Sequence, residues 1–261
     1  MKITTEPRIR ILATSAIRQD ELDSFLTEEA GTWSSDATSD GERLSEIAGR
    51  VCYMSFGSKQ GRKTNKEYLN NILESAHGSV LEHATITLLF TGVSRSLTHE
   101  LIRHRAGFAY SQLSQRYVDE SDTDYIIPDV IAKDEEMKRI FIDAIKLAHQ
   151  SYEKLAELLA KRAEEELPEL SKTERRKLAR QAARSVLPNA TETKIVVTAN
   201  LRAWRHFIEM RGSSHAEPEI RKLAVAVLKK LQPVAPNVFA DYTLVSCNDG
   251  GVAVEALNPK V

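Results

Sequence analysis

The chain has 261 residues, 42% hydrophobic and 28% charged, enough to bury a substantial core in one large domain or two intimate ones. Its 36 basic and 37 acidic side chains give a formal net charge of -1, which argues against a general nucleic-acid or membrane-surface binder. No apolar run approaches the roughly 20 residues that span a bilayer. The N-terminus lacks the apolar core of a signal peptide, and Cys52 and Cys247 are 195 positions apart with no metal-binding spacing, so a cytoplasmic location is the expectation.

Taken in order, residues 9–13 read as the opening strand and 31–41 as a polar loop of turn formers. A helix follows over 42–53, with Leu44, Ile47, Ala48 and Val51 at helical spacing. Residues 57–63 form a basic loop read as solvated, and a second helix covers 65–75. His77 and His83 flank Gly78 with no third ligand at helical or turn spacing, so no metal is expected. Residues 85–91 read as a mostly buried strand that leads through Gly92 into a helix over 94–102.

The stretch 103–117 dominates the chemistry. It holds Arg103, His104, Arg105 and Arg116 with several hydroxyl and amide side chains, and no acid to neutralise the guanidiniums. Arg presents a rigid planar fork suited to phosphate or another planar anion, so such a cluster wants an outside anion. Gly107 allows a sharp turn within it. Beyond it lie an acidic loop, 119–124, and a long helix over 134–166. That helix carries an apolar stripe through Met137, Ile140, Phe141, Ala144, Ile145, Ala148, Tyr152, Leu155, Leu158 and Leu159, read as a core or subunit-packing face. Ser171 and Glu174 form a capping-box pattern opening a helix that carries Arg175, Arg176, Arg180 and Arg184; position alone does not say which of these turns inward. A strand over 191–200 meets a helix over 201–211 at Asn200, a junction where side chains often face a ligand. Arg202, Arg205 and His206 fall on one side of that helix, and the next helix covers 216–231. There is no GxGxxG or GxxxxGK[ST] motif, so a Rossmann crevice is not expected.

Arg103-His104-Arg105 followed by Ser111-Gln112-Leu113-Ser114-Gln115-Arg116-Tyr117 resembles the signature of the flavin-dependent thymidylate synthases. The resemblance extends to residues 77–83, to 184–188 and to Asn200, Arg202, His206 and Arg211 at the family's intervals, together covering about 40–232. The chain departs from the pattern by one residue: eight residues, Ala106 to Leu113, precede Ser114, and the extra one is placed within 106–109.

The resemblance implies reductive methylation of dUMP to dTMP, with methylenetetrahydrofolate as carbon donor and FAD, reduced by NADPH, as reductant. Neither cysteine has an adjacent basic group that would lower a thiol pKa, so no thiolate nucleophile is expected. At the matching position Arg211 would stabilise negative charge on the N3/O2 edge of the uracil, the catalytic role. Arg103, Ser114, Arg116 and Arg184 would bind dUMP, mainly its phosphate, with Glu100 and Gln112 lining the same site. Arg103, His104 and Arg105 would hold the flavin, joined by Ser79, Asn200, Arg202 and His206, with His77 at its edge and Gln112 reaching the cofactor too. Glu82 is read as a capping or pairing residue and His83 as a core or interface histidine. The implied fold is α+β, a mixed or antiparallel sheet flanked by helices, a single domain over 1–261 that assembles into a homotetramer with shared active sites. Neither DNA nor membrane is an expected partner. Three alternatives stay open: a flavin-dependent relative acting on another pyrimidine nucleotide or one-carbon donor, a non-catalytic nucleotide- or RNA-binding protein, and a helical scaffold whose arginines pair with the loop 119–124.

Overall fold

A computed structural model describes residues 2–261. In chain order the elements are β1 (Ile3–Thr4), β2 (Arg8–Thr14), α1 (Gln19–Phe25), α2 (Asp40–Tyr53), α3 (Asn65–Glu74), β3 (Thr85–Ser94), α4 (Arg95–Leu101), β4 (Phe108–Gln112), β5 (Tyr125–Ile126), α5 (Asp129–Ala132), α6 (Glu135–Glu166), α7 (Lys172–Ala183), β6 (Glu192–Asn200), α8 (Leu201–Gly212), α9 (Pro218–Leu231), β7 (Tyr242–Ser246) and β8 (Val252–Ala256). The principal sheet has the order β2-β3-β6-β4. β1 pairs parallel with β5, and β7 antiparallel with β8. The fold is therefore α+β, with strand pairing of both senses and helices around it.

Local chemistry sets most boundaries. Ser39 caps α2 by accepting the Glu42 N–H, and Met54 ends it in the left-handed region at φ 43. Thr64 and Glu67 close a capping box on α3, and Ser171 and Glu174 close the expected one on α7. β3 runs beyond its expected end. Gly92 sits within the strand at φ +69, and a Cβ there would lie 2.6 Å from the Glu6 carbonyl oxygen, so a left-handed glycine lets the strand continue to Ser94 instead of turning. α1 and β4 stand where the sequence reading had no element.

The chain falls into two compact units. Unit 1 comprises Phe90–Leu101 and Ser111–Ile195 with the N-terminal segment up to Arg8. Within it α6 and α7 pack together, yet the 32-residue α6 buries only Ile145, Tyr152 and Ala163. Most of its expected apolar stripe is outside the core: Ile140 is 60% exposed and Leu158 51%.

Unit 2 comprises Ile9–Leu89, Ile102–Tyr110 and Val196–Val261. α8 packs on α9, burying Trp204, Phe207 and Ile208 with Ile220, Leu223, Val227 and Leu228. The Trp204 indole N–H donates to the Ile86 carbonyl at 3.1 Å, tying α8 to β3. α2 inverts the sequence expectation. Its fully buried face is polar (Glu42, Ser45, Glu46, Arg50), and of the apolar stripe Ile47 packs on a small cluster of Leu22, Leu26 and Phe56 while Val51 stays exposed. The reason is a closed hydrogen-bond network: Arg50 donates to Glu46 at 2.7 Å and to the Ser55 and Arg62 carbonyls, and Asn65 donates to Glu46 at 2.8 Å.

Candidate active site

In unit 1 the turn 113–118 is built on Ser114. Its carbonyl accepts from the Tyr117 and Val118 N–H groups, and its hydroxyl accepts from the Arg116 N–H at 3.4 Å. Gln112, on β4, donates to the Thr98 and Thr193 hydroxyls at 3.2 Å each, which fixes its amide. Three buried donors here have no partner: Arg95 Nη1, Gln115 Nε2 and Arg116 Nε. Buried donors are nearly always satisfied, so each of these can take an acceptor; the acceptor Glu120 Oε1, in the same unit, is likewise buried and without a partner among the described residues. Arg95 and Gln115 were not singled out from the sequence. Arg95 was hidden as one basic residue at the start of a helix, whereas Gln115 lay inside the motif itself.

Burial lowers the pKa of the Arg95 guanidinium, and Arg184 lowers it further against the pull of Glu120. Burial likewise raises the Glu120 carboxyl, opposed by its bond with Thr123 and by Arg95 and Lys194. The α7 arginines sort themselves by contact. Arg175 donates to the Leu170 carbonyl at 2.6 Å, Arg180 pairs with Asp119 at 2.7 Å, and Arg176 is exposed. Arg184, half-buried at the end of α7, is the one electrostatically coupled to Arg95. Glu100 is half-buried on α4. A cavity of about 300 Å³ elsewhere in unit 1 is lined by Asp119, Tyr152, Arg176 and Arg180 and by none of the expected site residues.

In unit 2, Arg103 and Arg105 are exposed and have no carboxylate partner among the described residues. His104 between them is buried, its ring set against Phe207, His206 and Phe108 at centroid distances of 5.4, 5.6 and 5.9 Å. The Arg211 Nε–H donates to His104 Nε2 at 2.9 Å. Burial first, then the charges of Arg211 and His206, push the His104 pKa down to about 4. The imidazole is neutral at physiological pH, accepts at Nε2 and therefore carries its proton on Nδ1.

Asn200 caps α8, its Oδ1 accepting the Ala203 N–H at 2.8 Å. Gly107, at φ +74, lies against it: a Cβ there would meet Asn200 Nδ2 at 2.8 Å and Ala203 Cβ at 3.1 Å. Gly107 thus lets the 106–109 loop turn left-handed against the start of α8.

Arg202, His77 and Ser79 come together around a cavity of about 310 Å³, which Tyr53, Tyr68 and Cys52 also line. Arg202 pairs there with Glu82, the structural role expected for that carboxylate. Arg205 does not share the outer side with Arg202 and His206. It turns inward, donating to Asp241 at 2.6 and 3.0 Å and to the Val238 and Asn258 carbonyls. His83 is exposed rather than part of the core. Cys52 donates its thiol back to the Ala48 carbonyl at 3.3 Å, and both cysteines are free.

The sequence profile of the family described as "Thymidylate synthase complementing protein" matches residues 35–237. A flavin-dependent thymidylate synthase of Mycobacterium sp. (strain JLS) is 54% identical over 220 residues, covering 84% of this chain and 86% of that protein. One from Mycobacterium tuberculosis (strain ATCC 25177 / H37Ra) is 52% identical over 229 residues, covering 87% and 89%. Among solved structures, a UMP/dUMP methylase from Streptomyces cacaoi bound with 5-Br dUMP superimposes with a TM-score of 0.65 at 17% identity, covering 92% of this chain and 96% of that one, a likeness of fold. With the signature stretch and the later blocks present in one chain, these matches lead to one statement: the chain belongs to the flavin-dependent thymidylate synthase family.

Proposed function

We propose that the protein converts dUMP to dTMP by reductive methylation at uracil C5, working as a single catalytic domain. The observation that carries the reading is the set of buried, unpartnered donors in unit 1, Arg95 Nη1, Gln115 Nε2 and Arg116 Nε, with Arg184 coupled to Arg95. Such a set suits a phosphate monoester, whose oxygens accept several charge-assisted hydrogen bonds at once. Arg103, Ser114, Arg116 and Arg184 bind the phosphate side of dUMP, and Glu100 and Gln112 line its site. The alternative of a scaffold whose arginines pair with the loop 119–124 accounts for Arg180, bonded to Asp119, and for the pull of Glu120 on Arg95, but not for the donors left without a partner.

Unit 2 offers what a flavin needs. The cavity walled by Tyr53 and Tyr68 suits a planar ring, His77, Ser79 and Arg202 suit its polar edge, and unpaired Arg103 and Arg105 suit a pyrophosphate. His104, Asn200 and His206 complete this group, with Gln112 as a further contact. FAD, when bound and reduced by NADPH, supplies the hydride. The methylene of methylenetetrahydrofolate would form a bond to C5 as C5 loses its proton, its bonds to the folate nitrogens would break, and hydride addition to that carbon would give dTMP, tetrahydrofolate and oxidised nicotinamide.

Arg211 stabilises negative charge on the N3/O2 edge of the uracil, which raises electron density at C5 without a thiolate. The back-bonded Cys52 thiol supports that reading. The exposed apolar residues of α6 support a homotetramer with shared active sites, and no helix of the described residues is long and apolar enough to cross a membrane. A cytoplasmic enzyme is the setting that goes with these features. The test is the absorption spectrum of purified protein followed by dTMP formation with dUMP, methylenetetrahydrofolate and NADPH. A yellow protein releasing FAD on denaturation, active on dUMP and not on UMP, is expected. A colourless protein that FAD cannot reconstitute overturns the reading.

A further inference from the structure

We propose that Val261 is a positioning residue for Arg202: the segment 257–261, folded back on α8, packs Val261 onto the Gly78 turn beside Arg202 and so sets one wall of the cavity in unit 2. This rests on the reading that this cavity takes the flavin.

Gly78, itself part of the cavity lining, shows how close the fit is. A Cβ built on it would lie 2.7 Å from the Val261 carbonyl carbon, 3.2 Å from Val261 Cγ1 and 3.0 Å from Arg202 Nε. Val261 and Arg202 thus fill from two sides the volume that a methyl group would take. Gly78 is not among the glycines at positive φ, so the turn needs a glycine for space rather than for backbone freedom. Val261 is 5% exposed, whereas Leu257, four residues earlier, is 80% exposed. The segment therefore delivers one apolar side chain inward, and it delivers it to the cavity wall.

The segment is tied down along its length. The Leu257 N–H donates to the Asp241 carbonyl at 3.1 Å, and Asn258 donates to the Asp241 carboxylate at 3.2 Å from both its backbone and its side-chain amide. Arg205 donates to the Asn258 carbonyl at 3.1 Å, and the Lys260 N–H to the Glu209 carboxylate at 2.9 Å. Lys260 is left-handed at φ 65, a conformation that a lysine keeps only where its surroundings impose it. Arg202, by contrast, is a long side chain whose ion-pair partner, Glu82, is exposed. An exposed ion pair orients an arginine weakly. Val261 occupies the space on the Gly78 side into which the guanidinium would otherwise move.

The experiment compares Val261→Gly, Val261→Ala, Val261→Thr and Leu257→Ala in the FAD-loaded protein. Flavin fluorescence gives the FAD dissociation constant, and circular dichroism the unfolding temperature. Mass spectrometry follows alkylation of Cys52, which lines the same cavity, with and without FAD. Val261→Gly should raise the dissociation constant on the order of tenfold, a usual size for coupling between a site and a remote group. Val261→Ala should raise it less, and Val261→Thr, which keeps the branched shape, should restore most of the affinity. Leu257→Ala, which trims an exposed side chain of the same segment, should change nothing. If Val261→Gly does not fold, Val261→Ala decides. An unchanged constant in the folded variants overturns the inference, as does equal weakening by Leu257→Ala or by Val261→Thr. A lower unfolding temperature with FAD affinity intact overturns it too, leaving Val261 a packing residue only. FAD should protect Cys52 from alkylation. Protection together with an unaltered constant in Val261→Gly sinks the inference alone, whereas a Cys52 that reacts equally fast with FAD bound brings down the placement of the flavin and the inference with it.

Discussion

Arg211→Lys keeps a positive charge and loses the planar fork, which makes it the most informative single substitution. Removing a donor that acts in the transition state costs on the order of 3 kcal/mol, about a hundredfold in rate. Losing a phosphate contact instead weakens binding and spares turnover at saturation. Arg211→Lys should therefore slow methyl transfer at saturating dUMP while NADPH still reduces the flavin, and Arg116→Lys should act through dUMP affinity; single-turnover measurements of the two half-reactions separate them. Two buried groups also give opposite pH dependences. His104 is pushed down from 6.5 to about 4, so its contribution to stability is present above 6.5 and is lost as pH falls toward 4. Burial pushes Glu42 up from 4.5 to about 6 despite the Val238 and Asn237 N–H groups that it accepts, so its contribution is present below 4.5 and is lost as pH rises through 6. Between 4.5 and 6 the two oppose each other, each on the order of 2–3 kcal/mol. Glu42→Gln removes one of them, and urea-unfolding midpoints should then rise more steeply with pH across that window than in the wild type. An unchanged slope would mean that Glu42 titrates as an ordinary carboxyl.

Helix and strand ends show what a sequence reveals and what it hides. The Ser171–Glu174 box was legible because capping is local chemistry, and Ser171→Ala should lower stability by about 1 kcal/mol in thermal unfolding. The long α6 was legible from its period, whereas the direction of its apolar face was not, because periodicity cannot say whether a stripe meets a core or another chain. α2 shows the same limit from the other side: its buried face is polar, a choice made by Asn65 and the Ser55 and Arg62 carbonyls from outside the helix. β4 was missed because its half-exposed alternation of five residues sits between arginine-rich flanks that read as loop. Composition shows that 103–117 holds three arginines and no acid, whereas the orphaned Arg95 Nη1 became visible only once burial and missing partners could be seen. At the start of α8, Gly107→Ala should cost about 1–2 kcal/mol for its left-handed backbone and more for the crowding at Asn200. Thermal unfolding measures the sum. Asn200→Ala, which removes only the cap, should cost about 1 kcal/mol, and equal losses would mean that the 106–109 loop adapts to the added methyl.

Assembly is where the whole chain can be tested. Ile140, 60% exposed on α6, is offered as part of a subunit contact, and Ile140→Asp should lower the mass found by light scattering while leaving the far-UV circular dichroism unchanged. A tetramer that persists would move the contact to another face. A last consequence follows from Arg205. Its guanidinium sits early on α8, 1% exposed, and is neutralised by Asp241 and by carbonyls as far along as Asn258. On the ribosome, α8 therefore emerges carrying a charge whose partners have not yet been synthesised. A buried ion stripped of its partner costs about 3–5 kcal/mol, so unit 2 should stay open, and protease-sensitive, in nascent chains stopped before Asp241. It should close only once Asn258 has cleared the exit tunnel. Limited proteolysis of stalled chains of graded length should show protection appearing in one late step, whereas gradual protection from the completion of α9 onward would show that Arg205 waits for no one.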